Sequence, residues 1–123
     1  MPRLARYAVA VVLAGLVGAL FNAVAVGTMV AGQSFWDLAT SPLRLSGAVL
    51  FAAMLPPIHL RFPFFVEDLV SLIALTIVPS LVSKFVFGST LDWTPEVLFN
   101  AVYAAAALMT YRFAAEWGRA VND

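Results

Sequence analysis

The sequence predicts an all-α fold: a polytopic membrane protein built as a four-transmembrane-helix bundle with short loops. Of its 123 residues, 63% are hydrophobic and 11% are charged, and the mean hydropathy is +0.94. Four apolar stretches contain a single fully charged residue, Lys84. A helix needs about 20 apolar residues to cross a bilayer, so we expect residues 1–123 to form one integral membrane domain. The stretches are Tyr7–Ala31, Leu45–Leu60, Leu69–Phe87 and Val97–Tyr111.

The first stretch carries small residues at every fourth position, which places them on one face of a helix. Small-xxx-small patterns let helices approach closely in lipid, where the hydrophobic effect does not drive helices together. We expect this face to form a tight helix–helix seam, either within the chain or between copies. The small residues are Gly15, Ala19, Ala23 and Gly27.

The same stretch also has features of a secretory signal peptide. Arg3 and Arg6 precede the apolar run, and Ala23-Val24-Ala25 matches a cleavage site for signal peptidase. The apolar run is longer than the hydrophobic region of an ordinary signal peptide. We therefore expect the first helix to be retained.

The second stretch is the shortest, and prolines bound it. Leu45–Leu60 covers 16 residues, about 24 Å of helix. Pro42 follows Thr40-Ser41 and is suited to the first helical position. Pro56-Pro57 should kink or end the helix near the inner side, because proline lacks an N–H group and clashes with the preceding turn. The alternative is that this second stretch is a re-entrant segment rather than a full span. We also expect a short interfacial helix in the loop that precedes it, near Gln33–Asp37.

The third and fourth stretches have clear helix starts. Glu67 and Asp68 precede the third stretch, where acidic side chains favour a helix N-terminus. Pro79 interrupts it, and Lys84 lies in its last turn, at the negative end of the helix dipole. Thr94-Pro95-Glu96 has the residue order of an N-cap, a first helical proline and an acidic first turn. The fourth helix should continue beyond the membrane towards its C-terminal arginines.

A five-residue sequence occurs twice. Leu20–Val24 and Leu98–Val102 both read LFNAV, and they fall on helices that run in opposite directions. The two asparagines should therefore lie at similar depths in the outer leaflet. A hydrogen bond from such an amide between transmembrane helices contributes about 0.6 to 2 kcal/mol. We expect Asn22 and Asn100 to join the first and fourth helices or to mark an interface between protomers.

Basic residues predict the orientation, since they concentrate on the cytoplasmic side. With four spans, one side holds both termini and the second loop. That side carries five basic residues, and the opposite side carries two. We expect both termini to be cytoplasmic, in a bacterial inner membrane. The five are Arg3, Arg6, Arg61, Arg112 and Arg119; the two are Arg44 and Lys84.

The sequence lacks the residues that most enzymes need. It has no cysteine and one histidine, His59, whereas a zinc site takes three or four ligands and a membrane haem usually two. The Glu67-Asp68 pair is interpreted as a helix start, or otherwise as a cation or partner site. No nucleophile elbow, phosphate loop or HExxH motif is present, and there is no basic patch for nucleic acid. We expect no catalytic residue, no metal and no cofactor.

Two main functions fit these features. The first is a non-catalytic accessory, assembly or scaffold subunit that acts in the lipid bilayer through helix packing and an aromatic inner loop, residues 61–68. The alternative is a small channel or transporter formed by a homo-oligomer; a holin-like pore is a third hypothesis. We expect the partner to be a second copy or another membrane protein, with no nucleic acid. The candidate ion-path residues are Lys84, Thr76, Pro79, Glu67 and Asp68.

Overall fold

The computed structural model describes residues 3–30, 32–63, 65–86, 88 and 92–122, with side chains for the same ranges apart from 3 and 117–122. Phe64 and Phe87 lie outside the described residues, as does the side chain of Arg119. Within these ranges every regular element is a helix, which confirms the all-α prediction. The helices are α1 (Arg3–Met29), α2 (Phe35–Ala39), α3 (Pro42–Ala52), α4 (Leu55–Arg61), α5 (Val66–Phe85) and α6 (Trp93–Asn122).

Within the described part of the chain, four helical segments are long and apolar enough to cross a membrane, the number expected from the sequence. The second begins three residues earlier than its apolar stretch, because Pro42 opens α3 and the Ser41 hydroxyl accepts a hydrogen bond from the Arg44 backbone N–H at 3.4 Å. With one further residue at its other end, Arg61, the segment has 20 residues rather than 16. The segments are Leu4–Met29, Pro42–Arg61, Val66–Phe85 and Trp93–Glu116.

The second segment is broken before its prolines, at Ala53 and Met54, rather than at them. Proline at positions 56 and 57 cannot donate to the carbonyls of Ala52 and Ala53, so the α-helical ladder loses two bonds there. The Met54 N–H instead bonds the Phe51 carbonyl at 3.1 Å, a tighter turn. The ladder restarts when Ile58 N–H donates to the Met54 carbonyl at 3.2 Å.

The long helices pack in the order α3, α1, α6 and α5, and the row closes only through α4, which packs on α5 at one end. α1 makes extensive contacts with α6 and α3, and α5 packs on α6, but α3 and α5 touch only slightly. We call the end that carries α2 and the α5–α6 connection the loop end. We call the other end, where α1 begins and α6 finishes, the termini end.

Candidate functional site

The small-residue face of α1 packs against the protein's own helices. A Cβ atom placed on Gly15 would lie 2.6 Å from the Cα atom of Val49 in α3, and one on Gly27 would lie 3.0 Å from the backbone nitrogen of Phe35 in α2. Ala19 and Ala23 are buried. The seam predicted from the sequence therefore lies within the chain.

A polar cluster joins α1, α3 and α6 near the loop end. The Asn22 amide donates to the Phe99 carbonyl of α6 at 2.8 Å, and its side-chain oxygen accepts from the Arg44 guanidinium of α3. Glu96, buried in the first turn of α6, is close enough to attract Arg44 electrostatically. Asn22 is itself 8% exposed, so both ends of its amide are satisfied inside the bundle.

The second asparagine of the LFNAV repeat joins a different pair of helices. The Asn100 amide donates to the Ser80 hydroxyl of α5 at 2.8 Å, and that hydroxyl donates to the Thr76 carbonyl at 2.6 Å. Pro79 is buried beside this chain of bonds. Asn22 and Asn100 thus lie on α1 and α6 at the same end, but they bond separate neighbours.

Both asparagines border a cleft of about 700 Å³ where α3 and α5 fail to close. Its lining is both apolar and polar, and the charged and amide side chains come from α1, the loop after α1, the start of α3 and the start of α6. Gly47 lies in the α3 wall, and Val82 and Ser83 lie in the α5 wall. The polar side chains that line the cleft are Asn22, Gln33, Arg44, Ser83, Glu96, Asn100 and Tyr103.

A second polar cluster lies at the termini end, between α4, α5 and α6. The Arg112 guanidinium binds the Asp68 carboxylate at 2.6 Å. The His59 Nε2 atom lies 3.9 Å from the Glu67 carboxylate, and its ring packs against the Tyr111 ring at a centroid distance of 4.9 Å. Of the two acidic residues that the sequence assigned to a helix start, Asp68 therefore also joins α5 to α6, and Glu67 lies beside His59 of α4.

Apolar packing separates the two clusters. The middle of the bundle is built from side chains with no exposed surface, and the hydroxyl of Tyr103 donates to the Ala48 carbonyl across the α3–α6 interface. Small residues dominate this layer because they let α1 and α6 approach closely. The fully buried residues include Ala10, Ala14, Ala52, Leu55, Leu75, Ala104 and Ala107.

The candidate ion-path residues do not converge on one site. Lys84 lies over the Trp93 ring at 5.3 Å, at the loop end. Thr76 and Pro79 lie along the buried face of α5, and Glu67 and Asp68 lie at the termini end. Phe62 and Phe65 of the aromatic loop are exposed.

Sequence reasoning missed Arg44, Glu96 and Ser80 as members of the loop-end clusters. Arg44 was counted only as an outer-side charge, and Glu96 only as a first-turn acid. Arg44 and Glu96 carry opposite charges and begin two helices on the same side of the membrane, and the sequence shows this much. Pairing the two residues requires the packing order of the helices, which the sequence does not show. Ser80 follows Pro79 and carried no distinct signal.

No family model, curated protein or solved structure matches this chain. Function is therefore inferred from its own residues.

Proposed function

We propose that the protein is a non-catalytic integral membrane subunit, and that its cleft between α3 and α5 receives a helix of a partner membrane protein. The single observation that carries this proposal is the cleft itself. Apolar and hydrogen-bonding side chains line it together, and among the described residues α3 and α5 touch only slightly on either side of it. Helix–helix association in membranes uses van der Waals packing together with interhelical hydrogen bonds.

The chemistry of the cleft suits a partner helix with a polar side chain at one level. Asn22, Arg44, Glu96 and Asn100 line the cleft together. Polar and ionisable residues within membrane segments face the bundle interior and commonly have functional roles. A volume of about 700 Å³ accommodates one face of a helix rather than a whole helix, so the partner would seal the gap between α3 and α5.

A subunit role is also supported by the apolar layer between the two polar clusters. The fully buried side chains of Ala14, Leu75 and Ala104 lie in this layer. Ion pathways are usually marked by ionisable or polar groups along the route. Among the described residues, the polar groups in the middle of a single copy are hydroxyls such as those of Tyr103 and Thr76, and no Asp, Glu, Lys, Arg or His lies among the fully buried side chains there.

We further propose that the termini end faces the cytoplasm of a bacterial inner membrane. This orientation rests on the excess of arginine at that side of the sequence. Trp36 and Trp93 at the loop end are exposed, as expected for aromatic residues at a membrane–water interface.

Filling the cleft tests the subunit proposal. A Cβ atom on Gly47 would have one neighbour within 4 Å, the Phe51 ring at 3.9 Å, so a Gly47→Phe side chain can occupy the cleft without displacing backbone. Leu50 lies on the same helix and is 73% exposed, which makes Leu50→Phe the matched control. We expect a partner that co-purifies from native membranes with the unmodified chain and with Leu50→Phe to be lost from Gly47→Phe.

Retention of the partner by a folded Gly47→Phe variant would contradict the proposal. Folding is checked by circular dichroism and by thermal unfolding in detergent. Absence of any stoichiometric partner from the unmodified protein would contradict it as well.

A carrier for a small polar solute is the second candidate, and the charged cleft floor favours it. Small-molecule sites typically measure about 300–1,000 Å³ and combine apolar walls with a few polar groups, as this cleft does. Oligomerisation would then have to supply the route past the apolar layer.

Flux separates the two candidates. Protein in liposomes is tested with sodium and chloride gradients, using Arg44→Gln and the matched Leu50→Phe control. Flux that depends on Arg44 would favour the carrier; no flux together with partner loss in Gly47→Phe would favour the subunit.

A further inference from the structure

We propose that His59, Glu67 and Asp68 form a binding site for a first-row divalent metal ion, with Zn²⁺ as the best-fitting example. The nearest nitrogen or oxygen atoms of these three side chains all lie within 4.8 Å of one another. They come from the end of α4 and the first turn of α5, on either side of the aromatic loop. A bound ion would clamp these two helices at the termini end.

The histidine has the tautomer that a metal ligand needs. Its Nδ1 atom lies 2.9 Å from the Leu55 carbonyl. A carbonyl only accepts hydrogen bonds, so Nδ1 carries the proton and, in the neutral ring, Nε2 presents its lone pair. A second-shell hydrogen bond from the non-ligating nitrogen to a carbonyl is the usual arrangement around metal-bound histidine.

Two of the atoms that face one another are acceptors without a donor. Among the described residues, His59 Nε2 and Asp68 Oδ1 are buried and lack hydrogen-bond partners. The nearest Glu67 oxygen is 3.9 Å from Nε2, too far for a hydrogen bond. Buried acceptors that converge in this way are stabilised by a cation.

Ser71 gives an independent indication that the site is incomplete. Its side chain is fully buried, and its hydroxyl has no partner among the described atoms. It lies four residues after Glu67 and three after Asp68, so it is on the same face of α5. It therefore lies about one turn further along α5 than the two carboxylates.

Geometry and charge both fit a divalent ion. Ligand atoms around tetrahedral zinc are separated by about 3.4 Å, given metal–ligand bonds of about 2.0–2.1 Å. The 3.9 Å separation of His59 and Glu67 therefore needs only a small rotation of a carboxylate. Arg112 binds the other Asp68 oxygen, Oδ2. The guanidinium thus fixes the Asp68 carboxylate. Together with Glu67 and a neutral His59, these side chains carry a net charge of −1 before an ion binds.

From the sequence, the lack of cysteine and the single histidine spoke against a metal, and Glu67 and Asp68 were interpreted as a helix start, or otherwise as a cation or partner site. The His59 ring lies close enough to contribute to a shared site with both carboxylates, and this depends on the turn of chain between α4 and α5.

The test is isothermal titration of Zn²⁺ into chelator-treated, full-length protein in detergent. We expect one ion per chain and a raised unfolding temperature, with Mg²⁺ not competing because it prefers oxygen ligands. Glu67→Gln and His59→Gln should each weaken Zn²⁺ binding by at least about 100-fold, and Arg112→Gln, which changes only the second shell, by about 10-fold.

Glu116→Gln is the control, since Glu116 is an exposed acid on α6 towards the termini end. It should bind Zn²⁺ as the unmodified chain does. Absence of stoichiometric binding to the unmodified protein overturns the proposal, as does undiminished affinity in a folded Glu67→Gln or His59→Gln variant. These results are independent of the cleft, so failure of the metal site leaves the partner proposal unaffected.

Discussion

Replacing Gly15 by alanine should destabilise the protein, although alanine is the better helix former. An added Cβ atom would lie 2.6 Å from Val49 Cα and 2.8 Å from Val49 N. Nonbonded carbon atoms prefer about 3.5–4.0 Å, so α1 and α3 must separate by about 1 Å. Backbone atoms cannot rotate away, and a gap of that size removes a quarter to a half of the dispersion energy of each affected contact.

The expected magnitude follows from two opposing terms. Overpacking a tight interface costs about 1–3 kcal/mol, while exchanging glycine for alanine in a helix contributes about 1 kcal/mol of stability. Because the clash involves backbone atoms, we expect an overpacking cost of about 2–3 kcal/mol. After the gain of about 1 kcal/mol from alanine, the free energy of unfolding should fall by about 1–2 kcal/mol. An added Cβ atom on Gly47 of α3 meets only the Phe51 ring, at an ordinary contact distance of 3.9 Å, so Gly47→Ala should leave the free energy of unfolding unchanged or raise it by up to about 1 kcal/mol.

Equilibrium unfolding in mixed micelles, followed by circular dichroism, measures both variants under the same conditions. Gly15→Ala should have the lower free energy of unfolding and Gly47→Ala the higher. Equal stability of the two variants would refute the packing of α1 on α3. A large side chain at position 15 would therefore unfold the bundle, and such a variant cannot report on partner binding. A large side chain at position 47 can, because it enters the cleft without displacing backbone.

Three further experiments test the loop-end cluster and the apolar layer. Asn22→Leu should cost about 1–3 kcal/mol in the same unfolding assay, because the Arg44 guanidinium loses an acceptor and the Phe99 carbonyl loses a donor; unchanged stability would argue against these bonds. Arg44→Met should destabilise the protein more than the double variant Arg44→Met/Glu96→Gln does, because the single change removes the cation that faces the buried Glu96 carboxylate. If the free-energy losses of the two single variants add up to the loss in the double variant, the pairing of Arg44 with Glu96 is contradicted. Tyr103→Phe should lower the free energy of unfolding by about 1 kcal/mol, because the hydroxyl's hydrogen bond to the Ala48 carbonyl of α3 is lost. A change within experimental error would contradict that hydrogen bond.

The number and type of the helices could be predicted from the sequence because they depend on local composition. Apolar stretches of span length need no tertiary information to be recognised. The boundaries were less accurate. α6 begins at Trp93, two residues before Pro95, since proline is tolerated throughout a first turn. The break in the second segment fell upstream of the prolines, because the lost hydrogen bonds belong to earlier carbonyls.

The candidate sites depended on contacts between distant residues. Asn22 could be singled out by its repeat, but its bond to Arg44 requires α3 to lie beside α1. The cleft arises because α3 and α5 barely touch, which no local pattern encodes. His59 lies eight residues before Glu67, and only the turn between α4 and α5 brings the two side chains together.

Photocrosslinking in native membranes tests the central claim, that the α3–α5 cleft holds a partner helix, most directly. A photoreactive amino acid is placed at Gly47 and at Ser83 in the two walls, with Leu50 as the control on the outer face of α3. We predict that positions 47 and 83 crosslink to one and the same membrane protein and that position 50 does not. Crosslinks to lipid alone at both wall positions would contradict the account.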